Sequence, residues 1–202
     1  FGIITIVKIR SALLASVSQT NFAAAEKAAD TIEAAVHDTL VNIRIIMENN
    51  RFESQGRDDR EWTLQLLLKS FPQIFSMTVI DVSGRPVLKV TKEDTFAPGN
   101  LAKRPDIKAA LGLNGATKKI RRISKTESGF LILPVDLFFF DPLTRENSFA
   151  LTLEINMNRL LEIVSDAHIL NAGYLYVLDE HGEIVFYPDK SVALARERAT
   201  YN

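Results

Sequence analysis

Residues 77–87 read Met77-Thr78-Val79-Ile80-Asp81-Val82-Ser83-Gly84-Arg85-Pro86-Val87, and residues 175–185 read Leu175-Tyr176-Val177-Leu178-Asp179-Glu180-His181-Gly182-Glu183-Ile184-Val185. Each stretch is an apolar strand running into Asp, then a Gly three residues on, then a return strand. The Asp side chain can cap the turn and the Gly supplies a positive φ, so each predicts a β-hairpin. Matching positions lie 98 residues apart. Two tandem copies of one sheet unit, the second cut short at residue 202, would produce this match; so would two unrelated hairpins built on the same physics. A true repeat predicts the same turn in both and no pairing of the two hairpins into one sheet.

Working outward, Ile3 to Gln55 contains neither Gly nor Pro and is dense in Ala, the best helix former. Phe22, Ala25, Ala29, Ile32, Val36, Leu40, Ile43 and Met47 recur every three or four residues, which places them on one stripe of a single helix. Residues 10–50 should be continuous, with Asn49-Asn50 and Gly56 at the end. About 45 helical residues make a rod of roughly 65–70 Å. A shorter helix, Asp58–Phe71, is closed by Pro72. The period then changes to that of strands: the first hairpin, a helix at Arg104–Leu113, and strands at Lys118–Ser124, Phe130–Phe140 and Ser148–Met157. Asn158–Ala167 is helical before the second hairpin. Residues 75–157 should form one antiparallel sheet packed on the long helix, an α+β architecture.

Charge excludes as much as it suggests. Lys+Arg number 24 against Asp+Glu 25, a net −1, so there is no overall drive toward nucleic acid. No Cys is present, which removes thiol chemistry and disulfides, and three scattered histidines do not make a metal centre. No nucleophile-elbow, zinc-protease or phosphate-loop pattern occurs, so neither enzyme machinery nor a cofactor is expected. The apolar run Phe1–Val7 is far shorter than the roughly 20 residues of a membrane span. It reads as the last turns of a membrane helix, a buried helix end or a clipped signal sequence. The chain opens at Phe1 and stops at Asn202 as a piece of something longer would.

The order of these elements, with Val79-Ile-Asp81-Val-Ser-Gly84, Arg104-Pro105-Asp106, Leu133-Pro134-Val135, Phe149–Leu160 and Gly173–Gly182 followed by Tyr187-Pro188-Asp189, resembles the double-Cache sensor domain. The likeness covers nearly the whole chain and rests on the order of weak motifs. It implies a long N-terminal helix on a PAS-like antiparallel module, followed by the start of a second PAS-like module. The division would be 1–9 the end or flank of a membrane helix, 10–71 the two helices, 72–167 the membrane-distal module and 168–202 the truncated membrane-proximal one. It further implies an extracytoplasmic (periplasmic) input domain of an inner-membrane histidine kinase, chemoreceptor or diguanylate cyclase. The amino-acid-binding branch carries Arg-x-Trp-Tyr. Here Asp106 and Ile107 stand where the aromatics would, so an amino-acid ligand is not expected. The family's acid on the last strand falls at Glu154.

In the strand 148–157, Phe149, Leu151, Leu153, Ile155 and Met157 alternate with Ala150, Thr152, Glu154 and Asn156. The apolar set should cover the long helix. The other is the floor of a ligand cavity or an ordinary solvated face. Between Lys103 and Lys125 eight basic residues stand against one acid, Asp106; Arg104, at a helix start, is the best single anion anchor, although a solvated face would look the same. Asp136, among aromatic neighbours, either binds something or points to a solvated edge. The site is expected between the sheet and residues 97–113, walled by Arg104, Asp106, Arg122, Asp136 and Glu154, for a small carboxylate or zwitterion. The competing reading is a structural or dimerisation module with no ligand, the long helix pairing with its twin through Phe22, Ala25, Ala29 and Ile32. A cytosolic PAS-like cofactor binder fits less well, since nothing suggests haem or flavin ligation.

Overall fold

The computed structural model describes residues 2–92, 105–111, 117–126, 130–141, 147–166, 177–178 and 184–186. Helix α1 runs without a break over Gly2–Asn49. It ends where Arg51 takes a left-handed conformation, φ 46°, ahead of the short turn Phe52–Ser54 and helix α2, Arg57–Ser70. Among the described residues no helix is long and apolar enough to cross a membrane. The chain divides into two compact units: His37–Leu160, and Phe1–Val36 with Leu161–Asn202. Helix α1 contributes to both.

The His37–Leu160 unit is built on one antiparallel sheet. Its strands are β1 (Ile74–Asp81), β2 (Pro86–Thr91), β3 (Lys118–Ile120), β4 (Ser124–Lys125), β5 (Leu131–Phe140) and β6 (Asn147–Asn156), ordered β2-β1-β6-β5-β3 with β4 also on β5. The alternation expected of residues 148–157 is present on every central strand. On one face Val79, Leu151 and Leu137 share a rung, and Met77, Leu153 and Val135 share the next; all six are buried. Helix α1 lies on this face. Its Leu40, Ile43 and Met47 are buried, the Arg44 guanidinium sits 5.1 Å from the centre of the Phe139 ring, and Phe139 stacks on Phe149 at 4.6 Å.

Arg44 also reaches two main-chain carbonyls of the sheet. It donates from Nη1 to Phe138 O at 3.2 Å and from Nη2 to Thr117 O at 2.7 Å. Phe138 N donates to the same Thr117 oxygen. The opposite face is covered at one end by the short helix α3 (Pro105–Leu111), whose Ile107 and Leu111 pack with Ile80, Phe138 and Ala150. Helix α4 (Met157–Asp166) follows β6.

Two expectations are corrected. The strand expected at Lys118–Ser124 is two strands, β3 and β4, separated at residues 121–123. Arg121 N donates to Pro134 O, but Pro134 has no N–H to return the bond, so the ladder breaks there. The single apolar stripe of α1 is also divided. Val36, Leu40, Ile43 and Met47 are buried, but higher up it is Ala28 that is buried while Phe22, Ala25 and Ala29 are exposed. Ala28 points about 100° round the helix from Ala29. Periodicity identifies the apolar face, not the face that finds a neighbour.

The second hairpin is β7 (Val177–Leu178) with β8 (Ile184–Phe186), in its own two-stranded sheet. Val177 pairs with Phe186 and Leu178 with Ile184, with an irregularity between the two rungs. Moved back 98 residues, these are the pairs Val79–Leu88 and Ile80–Pro86, and the first hairpin has its irregularity at the same step. The pairing therefore repeats, register and bulge included. The turn around Asp179 and Gly182, and His168, lie outside the described residues.

In the first hairpin Gly84 has φ 79°. Asp81 Oδ1 accepts from Ser83 N at 2.9 Å, Ser83 Oγ at 2.6 Å and Arg85 N at 3.0 Å. Partial burial pushes the Asp81 carboxyl pKa up, but the hydrogen bonds from Ser83 and Arg85 outweigh it and hold the pKa below its ordinary 3.8. A depressed carboxylate stabilises the fold above its unfolded pKa and loses that contribution as pH falls through the folded value. Between about pH 5 and pH 2, the unfolding midpoint of Asp81→Asn should therefore fall less steeply than that of the wild type. Equal slopes in a urea titration would remove Asp81 from the acid response. In the core, Ile43→Ala, at a fully buried position of α1, should cost about 2–5 kcal/mol by the same measurement.

Candidate functional site

The face opposite α1 is arranged in three rungs. Ile80, Ala150 and Phe138 form the first, beneath α3; Thr78, Thr152 and Asp136 form the second; Ser76, Glu154 and Pro134 form the third. Strand β2 adds Lys89 beside Thr78, and β3 adds Lys119 beside Asp136. Arg121, opposite Pro134, extends the third rung. Successive rungs stand about 7 Å apart. Polar side chains thus begin where the apolar cover of α3 stops, with carboxylates near the middle and basic residues at both edges. Ser76, Thr78, Asp136 and Thr152 are buried and Glu154 is partly so. This is not a solvated sheet face.

Asp136 is the centre of the arrangement. Its side chain is fully buried, which removes the solvated-edge reading. Thr152 Oγ1 donates to Oδ1 at 2.7 Å and Arg121 Nη2 donates to the same oxygen at 3.3 Å. Arg121 Nε stands 3.2 Å from Oδ2, but that approach is off the hydrogen-bond line. Both are buried, and among the described residues neither Nε nor Oδ2 has a hydrogen bond. The distance alone would suggest a closed fork; the alignment is the better guide, because a hydrogen bond weakens steeply away from linearity. The pair is attracted by charge and incompletely bonded.

Glu154 is held more fully. Ser76 Oγ donates to its Oε2, and Lys89 Nζ lies 3.8 Å from the same oxygen. Asp106, in the first turn of α3, faces Lys119 Nζ at 4.0 Å, with more than a third of each side chain exposed; such a pair contributes little.

Of the five residues expected at the site, Asp136 and Glu154 are brought onto neighbouring strands of one face, and Asp106 stands on the helix that covers its end. Arg104 lies outside the described residues. Arg122 is exposed, and its neighbour Arg121 is the one that reaches Asp136. Strand alternation would place Lys119 and Arg121 on one side and Arg122 on the other. The signal that selects the correct side is the partner strand's Pro134, which becomes informative only when the register is known. Among the described residues no group of three or more His, Asp or Glu gathers as a metal site would.

No protein-family model matches the sequence, and no curated protein does. Solved structures do match. An extracellular ligand-binding receptor from Desulfohalobium retbaense superimposes with a TM-score of 0.66 at 13% identity over 87% of this chain, which spans 32% of that receptor. The sensory domain of a Campylobacter jejuni chemoreceptor, with isoleucine bound, gives 0.53 at 12% identity, covering 92% of this chain and 78% of its own. The ligand-binding domain of a Pseudomonas aeruginosa amino acid chemoreceptor, in complex with GABA, gives 0.53 at 16% identity, covering 85% and 77%. The fold is the one these sensor domains share, as the double-Cache resemblance implies. At these identities the likeness is one of fold.

Thr152→Val should cost about 1–3 kcal/mol, because it leaves a buried carboxylate oxygen short of a donor. In a double-mutant cycle with Asp136→Asn the two changes should couple by about 0.5–3 kcal/mol. Additive effects in urea denaturation would mean that Thr152 does not support Asp136.

Proposed function

We propose that this chain is the extracytoplasmic ligand-sensing part of a bacterial transmembrane signalling receptor, and that it binds a small organic molecule on the polar rungs next to α3. The observation that carries the reading is the polar floor of buried Ser76, Thr78, Asp136 and Thr152 with the partly buried Glu154. A sheet face that served only packing would be apolar there, as the face beneath α1 is. Pockets that hold small molecules join apolar walls to a few placed polar groups, and the first rung with α3 supplies such a wall. The fold shared with chemoreceptor and histidine kinase sensor domains supports the same reading.

In this reading Arg104, just ahead of α3, fixes the anionic end of a carboxylate or zwitterion, and Glu154 with Asp136 supplies acceptors. Asp106 and Arg122 stand at the margin. The segment 72–167 is the membrane-distal module and 168–202 begins a membrane-proximal one; the repeated hairpin register supports that division. The stretch 1–9 belongs to the end of a membrane helix or to its flank. Ligand binding shifts the receptor by favouring one of two helix arrangements. Helix α1 pairs with a second copy through its exposed Phe22, Ala25 and Ala29, with Ile32 at the edge. Small residues in that seam make the pairing loose.

The test is a thermal-shift screen of organic acids, amines and amino acids. A binder should raise the unfolding midpoint of the wild type. Arg104→Ala should weaken it by about 1.5–3 kcal/mol, the worth of a charged hydrogen bond, or roughly ten- to a hundredfold. Equal stabilisation of both proteins would take Arg104 out of the site. Silence across the whole screen would favour a structural module.

A further inference from the structure

Four large apolar side chains stand in water on the helices that cover the sheet: Val41 and Ile45 on α1, Trp62 and Leu66 on α2. Trp62 is 65% exposed, and Ile45 and Leu66 are 48% exposed. Val41 and Ile45 each lie two residues from the fully buried Ile43, and Trp62 and Leu66 two residues from the fully buried Leu64. Two residues make about 200° of helical turn, so both pairs point nearly opposite the core. The turn after α1 sends α2 back alongside it, and Gln73 Nε2, just past α2, donates to Thr39 Oγ1 at 2.6 Å. Trp62 and Leu66 therefore run beside Ile45 and Val41, in one patch on the outer surface of a two-helix layer. Single exposed apolar residues are ordinary, whereas a contiguous group marks a contact surface.

The charges around the patch define what can cover it. On α1, Asp38 and Glu48 bracket the apolar pair; on α2, Asp58 and Asp59 stand one turn before Trp62, and Lys69 stands one turn after Leu66. All five are exposed. The antiparallel course gathers Glu48, Asp58 and Asp59 at the turn end, while Asp38 and Lys69 offset one another at the other. Glu48 is paired with Arg44 at 3.4 Å. Asp38, Asp58 and Asp59 make no ion pair among the described residues. The exposed bases nearby are Arg51, in the turn, and Arg57, which points about 140° round α2 from Trp62.

We propose that this patch docks an amphipathic helix of a protein partner, apolar along one side and carrying Lys or Arg at the end that lies over Asp58 and Asp59. Two paired helices offer a groove, and a third laid along it covers Val41, Ile45, Trp62 and Leu66 with apolar positions three and four apart. The site is separate from the polar rungs and does not rest on their binding a ligand. An anionic membrane or a nucleic acid would meet unpaired acids of its own sign. A second copy is disfavoured by the same charges. With two α1 helices parallel about a twofold axis, Asp58 and Asp59 would face their own copies. With them antiparallel, Lys69 could reach those acids, but the two chains could not rise from one membrane.

Trp62 is the single tryptophan of the chain, so its emission reports on the patch. The experiment uses the 202-residue chain and two model helices free of Trp, each as long as α2, 14 residues. One carries leucines along one face and lysines along the other; the second has glutamates in place of the lysines. At matched, low ionic strength the Leu/Lys helix should bind saturably, more tightly than the Leu/Glu helix, and shift Trp62 emission to the blue as the indole leaves water. Leu66→Asp, or Ile45→Asp on the other helix, should weaken that binding roughly tenfold or more, the loss of one buried aliphatic side chain. Both positions are exposed, so the unfolding midpoint should stay at the wild-type value. The double variant Asp58→Lys with Asp59→Lys should exchange the order of the two model helices.

Equal binding of the two model helices by the wild type overturns the proposal, and so does an order that the Asp58→Lys, Asp59→Lys variant leaves unchanged. Binding that Leu66→Asp and Ile45→Asp both leave intact overturns it as well. A larger blue shift with phosphatidylglycerol vesicles than with the Leu/Lys helix assigns the face to a membrane instead. A dimer in sedimentation velocity that Leu66→Asp dissociates assigns it to a second copy. Either result removes the partner helix. None of these substitutions touches the polar rungs, so the ligand reading stands or falls by its own screen.

Discussion

Strand β6 is hydrogen-bonded along both edges, to β1 on one side and β5 on the other, and the register of those two ladders governs the rest of the unit. Side chains alternate strictly along a strand, so fixing one rung fixes all of them. With Leu153 set between Met77 and Val135, the apolar rows close beneath α1 and the polar rows must gather on the other face. A slip of one residue on β6 would put Glu154 against the long helix and Leu153 among Thr78 and Asp136. The cost of burying that acid and stranding those hydroxyls makes the observed register the only economical one.

The same constraint explains why the polar floor is tolerable. A carboxylate as deep as Asp136 is expensive unless it is paired and hydrogen-bonded. Thr152 is its neighbour across the ladder and donates to it, and Arg121 brings a charge from the broken edge. Glu154 draws on Ser76 in the same way, again directly across a pair of strands. Each acid is thus supported by a hydroxyl from the adjoining strand and by a basic residue from farther out. Rigid sheet positions hold the acceptors, while the basic groups ride on long side chains at the margins.

Much of this was legible in the sequence. A stretch of more than fifty residues without Gly or Pro is hard to read as anything but one helix, and α1 is that helix. The spacing of Asp and Gly in the two hairpins carried over to the rung at which each ladder shifts. The alternation of residues 148–157 named both faces of β6 and put the long helix on the apolar one, though it did not decide what lies over the other. Other features were hidden because they belong to pairs of segments. The division between β3 and β4 is caused by Pro134, more than ten residues away. Whether Arg121 or Arg122 turns inward depends on the same pairing. The buried side of α1 above Val36 follows from its neighbours, and the helix's own periodicity pointed about 100° away.

Arg44 grips the sheet through the carbonyl oxygens of Thr117 and Phe138. Main-chain carbonyls are the same whatever side chain the residue carries. The link between α1 and the edge of β5 is therefore indifferent to the identity of residue 117, and it asks of residue 138 only that the backbone keep its path. Substitutions on the polar face of the sheet can accumulate while the helix keeps its hold on the strand. The polar face and the attachment of α1 are written in different parts of the chain, and one can drift while the other stays put.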